Sequence, residues 1–432
     1  MHGVSVLRVH VLRRQLLPGV HLEAFLKIKG ASETLLQHRG QHAVQERSRC
    51  SYGSFALDFT LGNDAGATSD NVVSAQLGIR ATESDQDIVF RDIPEIVDLR
   101  LAAGRKKVHK LVVCGKPLHL MTDWQQMVQW IEVWQVLGVT KFVIPVMTVT
   151  KEVMEILELY EKEGIVEIVD WPAFLEIPEA NFETRWHEEA LAITDCVLKS
   201  KLEAEWALST DLDELLLVYN ESLTLPSLLD AVVKSDPFAG AAHFRISNVR
   251  SPIDRAGDES WRRVEKLHPS KVDFDYLKEI DREETNTAIH GKVFYRLDAT
   301  TMGGVHDAKE YSDARFHAIQ VEPATALFYH FRKVKSILHP MRASVRDRRL
   351  RPLVEKAQRA WAERSKRFYG DRPNHRLLNR GLVPEQQVQD CMVALNAKHR
   401  CEATRHVCIK NATAVEPEEW IDTPNRGTWM GL

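Results

Sequence analysis

Three pairs of aspartates one residue apart occur in the 432-residue chain: Asp85/Asp87, Asp211/Asp213 and Asp273/Asp275. Carboxylate oxygens in such a pair suit Mg2+ or Mn2+, and such an ion neutralises charge that builds on a departing phosphate. Spacing alone does not choose among the three, because a solvated turn carries the same pattern. Context does: only Asp211/Asp213 follows an apolar run, Trp206 to Thr210, that closes a series of strands and helices. Alternate residues of an extended segment point the same way. Leu212 is therefore expected inward, with Asp211 and Asp213 facing one ligand and Glu214 next in line.

Two histidine segments lie downstream. Gly303-Gly304-Val305-His306-Asp307 sets an imidazole beside two glycines, which let backbone come close to a ligand. His306 there either completes a metal shell or occupies a surface turn. His330-Phe331-Arg332 ends another apolar run, and Arg332, Lys333 and Lys335 either meet phosphate or start an exposed basic helix. His187, His243 and His290 read as satisfied or solvated side chains. No Walker-A loop, dinucleotide glycine fingerprint or Gly-x-Ser-x-Gly elbow is present.

Apolar spacing outlines the elements that must position these residues. Residues 1–105 lack helical periodicity, and Ser54 to Leu61 and Val72 to Ile79 alternate loosely, the pattern of a small β-rich domain. Ala102 to Lys107 reads as a linker. Lys110 to Cys114 is then a short apolar strand, and Trp124, Met127, Val128, Ile131, Trp134 and Leu137 follow at helical spacing up to Gly138. Lys141 to Val146 is a second strand. Thr150 reads as the N-cap of a helix that ends at Gly164, and Ile165 to Val169 is a third strand. A helix from about Glu183 to Ser200 leads to the fourth strand, Trp206 to Thr210.

This order predicts an α/β domain over 106–340 with a mainly parallel sheet and right-handed crossovers. Ligands collect at the carboxyl ends of such strands, which is where Asp211 falls. Further on, a helix is expected around Pro226 to Val233 and strands near Ala241 to Ile246, Lys292 to Leu297 and Ala326 to His330. Residues 250–290 read as a polar lid or acceptor loop. The remainder, 341–432, reads as a helical and irregular C-terminal extension. Arg342 to Arg376 carries 12 Lys+Arg against 4 Asp+Glu, and fits a solvated amphipathic helix better than a nucleic-acid surface.

Composition narrows the classes further. A net charge of −4 is a poor match to nucleic acid, and 44% hydrophobic with 27% charged residues excludes wholesale disorder. No apolar run approaches the ~18 residues of a membrane helix. The opening segment, broken by Arg8, Arg13 and Arg14, lacks the pattern of a signal peptide. Six cysteines without a CxxC pair argue against zinc; Cys391, Cys401 and Cys408 cluster as a bridge or as free thiols. The sequons at Asn220 and Asn411 are about as many as chance supplies.

The run from KLVVCGKPLHLMTDWQQMVQWIEVW to EIVDWP resembles the opening of the glycosyltransferase family 92 domain. HEEALAITDCVLKSKLEAEWALSTDLDELLL, HGKVFYR, Gly304-Val305-His306 and His330-Phe331-Arg332 follow in the family's order, and the match covers about 108–335. The resemblance implies a GT-A fold preceded by the β-rich domain, a UDP-sugar donor (typically UDP-galactose), Mn2+ or Mg2+, and inverting transfer to a glycan acceptor on protein or lipid. It implies that Asp211 and Asp213 bind the metal and donor, that Glu214 supports their loop, and that His306, or in second place His330, is the third protein ligand to the metal. Cys114 and Asp123 match the first strand and its loop, near where such folds hold the nucleotide base. Inverting chemistry needs a general base; Asp307 and Glu310 are the first candidates, Asp258 and Glu259 the alternatives. Family members work in the Golgi lumen, whereas this chain shows no anchor, which leaves the cytoplasm as the alternative. Two rivals stand beside this reading. One is a non-catalytic glycan- or nucleotide-binding protein on the same fold. The other is a metal-dependent hydrolase or nucleotidyl transferase, which usually needs more carboxylates than one pair.

Overall fold

The alternating residues ahead of position 105 form strands among the described residues: β1 (Ser5–Arg14), β2 (Glu23–Lys29), β3 (Glu33–Gln37), β4 (Gly40–Ala43), β5 (Tyr52–Leu61), β6 (Ser74–Arg80) and β7 (Phe90–Asp92). They pair as two antiparallel sheets, ordered β1-β5-β4 and β3-β2-β6-β7. The computed structural model describes residues 5–14, 23–29, 33–37, 40–43, 52–61, 74–80, 90–92, 105–171, 189–220, 222–250, 264–283, 291–331, 344–381, 383–398, 408–413 and 415–423.

Consecutive apolar residues specify strands covered on both faces. β8 (His109–Cys114), β9 (Lys141–Val146), β11 (Val166–Asp170) and β12 (Ala204–Ser209) are such strands and pair in parallel. They sit in a seven-stranded sheet of order β11-β9-β8-β12-β18-β14-β21, with β14 (Ala239–Phe244), β18 (Lys292–Arg296) and β21 (His317–Gln320) completing it. Alternation decides the faces: Leu111 and Val113 enter the larger core, while Val112 and Cys114 enter a smaller core on the other side. Helices α1 (Trp124–Val136) and α2 (Lys151–Lys162) line the larger core with Trp124, Trp130, Trp134, Ile156 and Tyr160, and α3 (Glu189–Ser200) lines the smaller one with Ile193, Cys196 and Val197. Each full burial of an aliphatic side chain contributes about 1.5–3 kcal/mol. Asp123 caps α1 by accepting from the Gln126 N–H at 2.9 Å, and Gly138 at φ 104° ends it. Thr150 stands at the N-cap of α2 as expected, but its side chain makes no cap bond.

A second, five-stranded sheet runs β13-β22-β15-β17-β23, from β13 (Glu214–Val218), β15 (Ile246–Arg250), β17 (Ile280–Glu283), β22 (Ala326–Phe331) and β23 (Ser344–Asp347). Helix α4 (Leu225–Ser235) packs Leu228, Leu229 and Val232 into the larger core. Two expectations change here. The stretch 250–290 is not a loop throughout: Phe274, Tyr276, Leu277 and Ile280 are buried in the larger core. Enough apolar residues are interspersed among its charges to anchor it. The basic segment begins as the edge strand β23 before α5 (Arg351–Tyr369) starts, because Pro352 favours the first turn of a helix and stops an earlier one.

Helix α5 is amphipathic rather than free. Trp361 is buried and donates its indole N–H to the Pro269 carbonyl at 2.9 Å, and Arg364 reaches Glu132 of α1. Further along, α6 (Val383–Lys398) bears Cys391, which is bridged to Cys408. The last described strand, β25 (Trp420–Asp422), pairs antiparallel with β10 (Thr148–Thr150), just past the carboxyl end of β9. Leu120 of the loop after β8, at φ 52°, packs with Val388, Cys391, Cys408 and Ala412. The C-terminal segment therefore lies against the ligand end of the parallel strands. Among the described residues no helix is long and apolar enough to cross a membrane.

Candidate active site

Strand β12 ends at Ser209 and β13 begins at Glu214, so Asp211, Leu212 and Asp213 lie between strands of different sheets. The Glu214 N–H donates to the Asp211 carbonyl at 3.1 Å, and the Asp211 N–H to Glu214 Oε2 at 2.9 Å. This is a tight turn, not an extended segment. The two-residue alternation expected of an extended segment does not apply inside it. Leu212 does pack against the larger core.

The two carboxylates have different neighbours. Asp211 meets Lys116 Nζ through Oδ1 at 2.8 Å and Lys292 Nζ through Oδ2 at 2.9 Å. Lys292 also reaches Glu214 Oε2 at 2.8 Å, and Lys116 also reaches Glu189 Oε2 at 3.0 Å. Asp213 instead meets His330 Nε2 through Oδ2 at 3.0 Å. Pairing of β13 with β22 sets His330 directly opposite Glu214, and the Phe331 N–H donates to the Asp213 carbonyl at 2.7 Å. From α1, the Trp134 indole donates to the Glu214 carbonyl at 3.3 Å.

Burial would raise the Asp211 carboxyl, but the ammonium groups of Lys116 and Lys292 outweigh it and hold the carboxyl well below the usual range. Burial, with the charge of Asp211 added, pushes Glu214 up, and Lys292 and His330 offset part of that. Although burial opposes their charge, the acids hold Lys116 and Lys292 above the ordinary lysine value. Carboxylates and ammonium groups alternate through this lattice.

The other sequence candidates fall around this lattice. His306 is exposed, its Nδ1 2.9 Å from the Gly291 carbonyl, next to Lys292 rather than in the Asp213–His330 pair. A side chain at Gly291 would collide with the Phe244 carbonyl, so only glycine allows this approach. Asp307 is exposed and pairs with Lys309 at 2.9 Å, in the hairpin of β19 (Thr300–Gly303) and β20 (Ala308–Tyr311). Burial, with the charge of Asp307 added, pushes the Tyr295 phenol well up, and Lys116 opposes them. Glu310 is held by Arg8 of β1 at 3.0 Å, which also binds Asp58. Cys114 is fully buried and bonded to Cys196, so its sulfur is closed to a ligand. Asp123 caps α1. Arg332, Lys333, Lys335, Asp258, Glu259, Asp85, Asp87, His187, His290 and Cys401 lie outside the described residues. Asp273 accepts from the Asp275 N–H at 2.7 Å in an exposed turn, remote in sequence and contact from this lattice.

Sequence reasoning missed Lys116, Glu189, Lys292 and the Cys114–Cys196 bridge. Lys116 stood two residues past the first strand, at the end where ligands collect, and Lys292 stood inside the quoted HGK segment.

The described residues thus form a mixed α/β fold with a large sheet of mostly parallel strands, an acidic turn at a carboxyl strand end and a histidine facing it. The glycosyltransferase family 92 model matches residues 109–368, and the chain belongs to that family. The match runs through α5. A Caenorhabditis elegans protein named glycosyltransferase family 92 protein F13G3.3 is 26% identical over 113 residues, which is 25% of this chain and 22% of that protein. The chain thus spans about a fifth of the length of that relative. Among solved structures, a Bacillus anthracis protein named as a glucose-1-phosphate thymidylyltransferase, in complex with sucrose, overlaps 59% of this chain and 95% of its own at 12% identity and a TM-score of 0.23. That overlap is too loose to define a shared fold.

Proposed function

We propose that this chain is a metal-dependent glycosyltransferase of the GT-A type that transfers a hexose, galactose first, from a UDP-sugar to a glycan acceptor with inversion. The observation that carries the reading is the contact of Asp213 with His330 at 3.0 Å, beside a turn at the carboxyl end of β12. One carboxylate and one imidazole fit a divalent ion whose remaining positions belong to substrate oxygens. Among the described residues no group of three or more acids, histidines or cysteines is placed to hold a metal ion, so the protein side of such a site is this pair. Asp211, Glu214 and Glu189 are paired with Lys116 and Lys292, whereas Asp213 meets His330, so added positive charge suits the Asp213 side of the cluster. Asp213 and His330 would hold Mn2+ or Mg2+, which when bound supplies positive charge against the departing diphosphate.

In this reading the chain's own residues divide the remaining work. Lys292 locks Asp211 and Glu214 into one unit and keeps the turn rigid. Asp307 takes the proton of the acceptor hydroxyl, as a base on an exposed hairpin; the Arg8 ion pair leaves Glu310 a structural part. The buried Cys114–Cys196 and Cys391–Cys408 bridges support folding in an oxidising compartment such as the Golgi lumen. The test is UDP release from a panel of UDP-sugars with Mn2+ or chelator, for the wild type and Asp213→Asn. Metal-dependent release from one sugar, lost in the variant, is the expected result. Release that survives both chelator and the substitution overturns the reading.

A further inference from the structure

We propose that Lys116 binds the diphosphate of the donor, exchanging its contacts with Asp211 and Glu189 for phosphate oxygens; this rests on the nucleotide-sugar reading above. The two lysines of the lattice are not equivalent. The Lys292 side chain is 1% exposed and sealed between Asp211 and Glu214, so it has no path to a ligand. The Lys116 side chain is 22% exposed and bridges Asp211 at 2.8 Å and Glu189 at 3.0 Å. It is the lattice ammonium, among the described residues, that can turn outward.

Its backbone is fixed while its side chain stays partly exposed. Two residues earlier Cys114 is bonded to Cys196 of α3, the helix whose first turn carries Glu189. The Gly115 N–H donates to the Val143 carbonyl at 2.8 Å and the Leu118 N–H to the Pro145 carbonyl at 2.9 Å. A Cβ at Gly115 would stand 3.2 Å from the Val143 carbonyl, so the chain runs close to β9 there. Lys116 is therefore a flexible four-carbon stem on a clamped base, at the carboxyl end of β8. A lysine acts on phosphate as a point charge and needs only reach, not a fixed fork. The two acids it leaves are not stranded: Asp211 keeps Lys292, and Glu189 sits in the first turn of α3, where the helix dipole favours a negative charge.

The test is calorimetric titration of the full chain with UDP, UMP and uridine, with Mn2+ and with chelator. Lys116→Ala should weaken UDP by about tenfold, equivalent to ~1.4 kcal/mol, and leave uridine unchanged. Lys116→Arg should keep most of the preference for UDP. Glu189→Gln, which removes the competing acid, should tighten UDP several-fold. Thermal unfolding of each variant separates lost binding from lost folding. Wild-type UDP affinity in a folded Lys116→Ala, or equal losses of UDP and uridine, overturns the inference and leaves the transferase reading standing. A wild-type chain that binds neither uridine nor UDP under either condition overturns the nucleotide-sugar reading, and the inference with it.

Discussion

His330 Nε2 lies 3.0 Å from Asp213 Oδ2, across 117 residues of sequence. The contact is made by strand register, since β22 sets His330 opposite Glu214, the residue after Asp213. Two separate elements of chain must dock before this pair exists. Asp213→Asn and His330→Gln should each lower kcat/KM at least ~100-fold, or ~2.7 kcal/mol of transition-state stabilisation. The double variant should cost little more than either single, because both belong to one unit. Steady-state kinetics with the preferred donor checks this; additive losses would separate their roles.

Lys292 is expected to matter for stability as much as for rate. Replacing it by Met leaves Asp211 with Lys116 alone and strips Glu214 of its nearest ammonium. Breaking a buried ion pair from one side costs about 3 kcal/mol or more. Urea unfolding of Lys292→Met should show that loss at neutral pH, and Glu214→Gln in the same background should recover part of it.

A second buried pair ties α5 to α1. Glu132, fully buried on α1, receives hydrogen bonds from Tyr160 at 2.6 Å and from Arg364 of α5. Burial raises its carboxyl, and Arg364 is the main opposing influence. Arg364→Ala should destabilise by about 3 kcal/mol. The double change Glu132→Gln, Arg364→Met should recover much of it, because no charge is then left alone. Chemical denaturation decides; a double variant weaker than Arg364→Ala would contradict the account.

His119, in the loop after β8, gives a pH dependence of defined sign. Burial lowers its imidazole from the ordinary 6.5 to about 4, and a weak contact with the Pro117 carbonyl opposes this. Between those values the unfolded chain binds the proton and the folded chain does not. His119 thus contributes stability that is fully present above pH 6.5 and is lost as pH falls toward 4, after which its contribution is constant. His119→Gln should flatten the fall of the thermal midpoint over that window. An unchanged slope would mean that other groups carry it.

The strands that build the parallel sheet were legible because residues buried on both faces are continuously apolar. Lys141–Val146 is the clearest case, and the helix stops at Gly138 and Gly164 are set by local backbone conformation at positive φ. The acidic cluster Asp211 to Glu214 was legible at the end of the fourth strand, but as an extended segment; the hydrogen-bonded turn found there breaks the two-residue alternation. Lys116 and Lys292 were invisible for a different reason. A lysine in a sequence reads as surface, and only the third dimension shows acids gathered around it. The Cys114–Cys196 bridge spans 82 residues and joins a strand to a helix, so no spacing rule announces it.

The pairing of β10 with β25 bears on the order of assembly. Thr148 and Asp422, bonded at 2.6 Å, are 274 residues apart. During synthesis β10 emerges soon after β8 and β9, long before β25, its partner in a separate two-stranded sheet. Closing so long a loop is slow compared with local helix formation. The ligand end of the sheet is then the last part of the molecule to acquire its native surroundings, so a nascent chain completes its body before it completes the rim of its own working face.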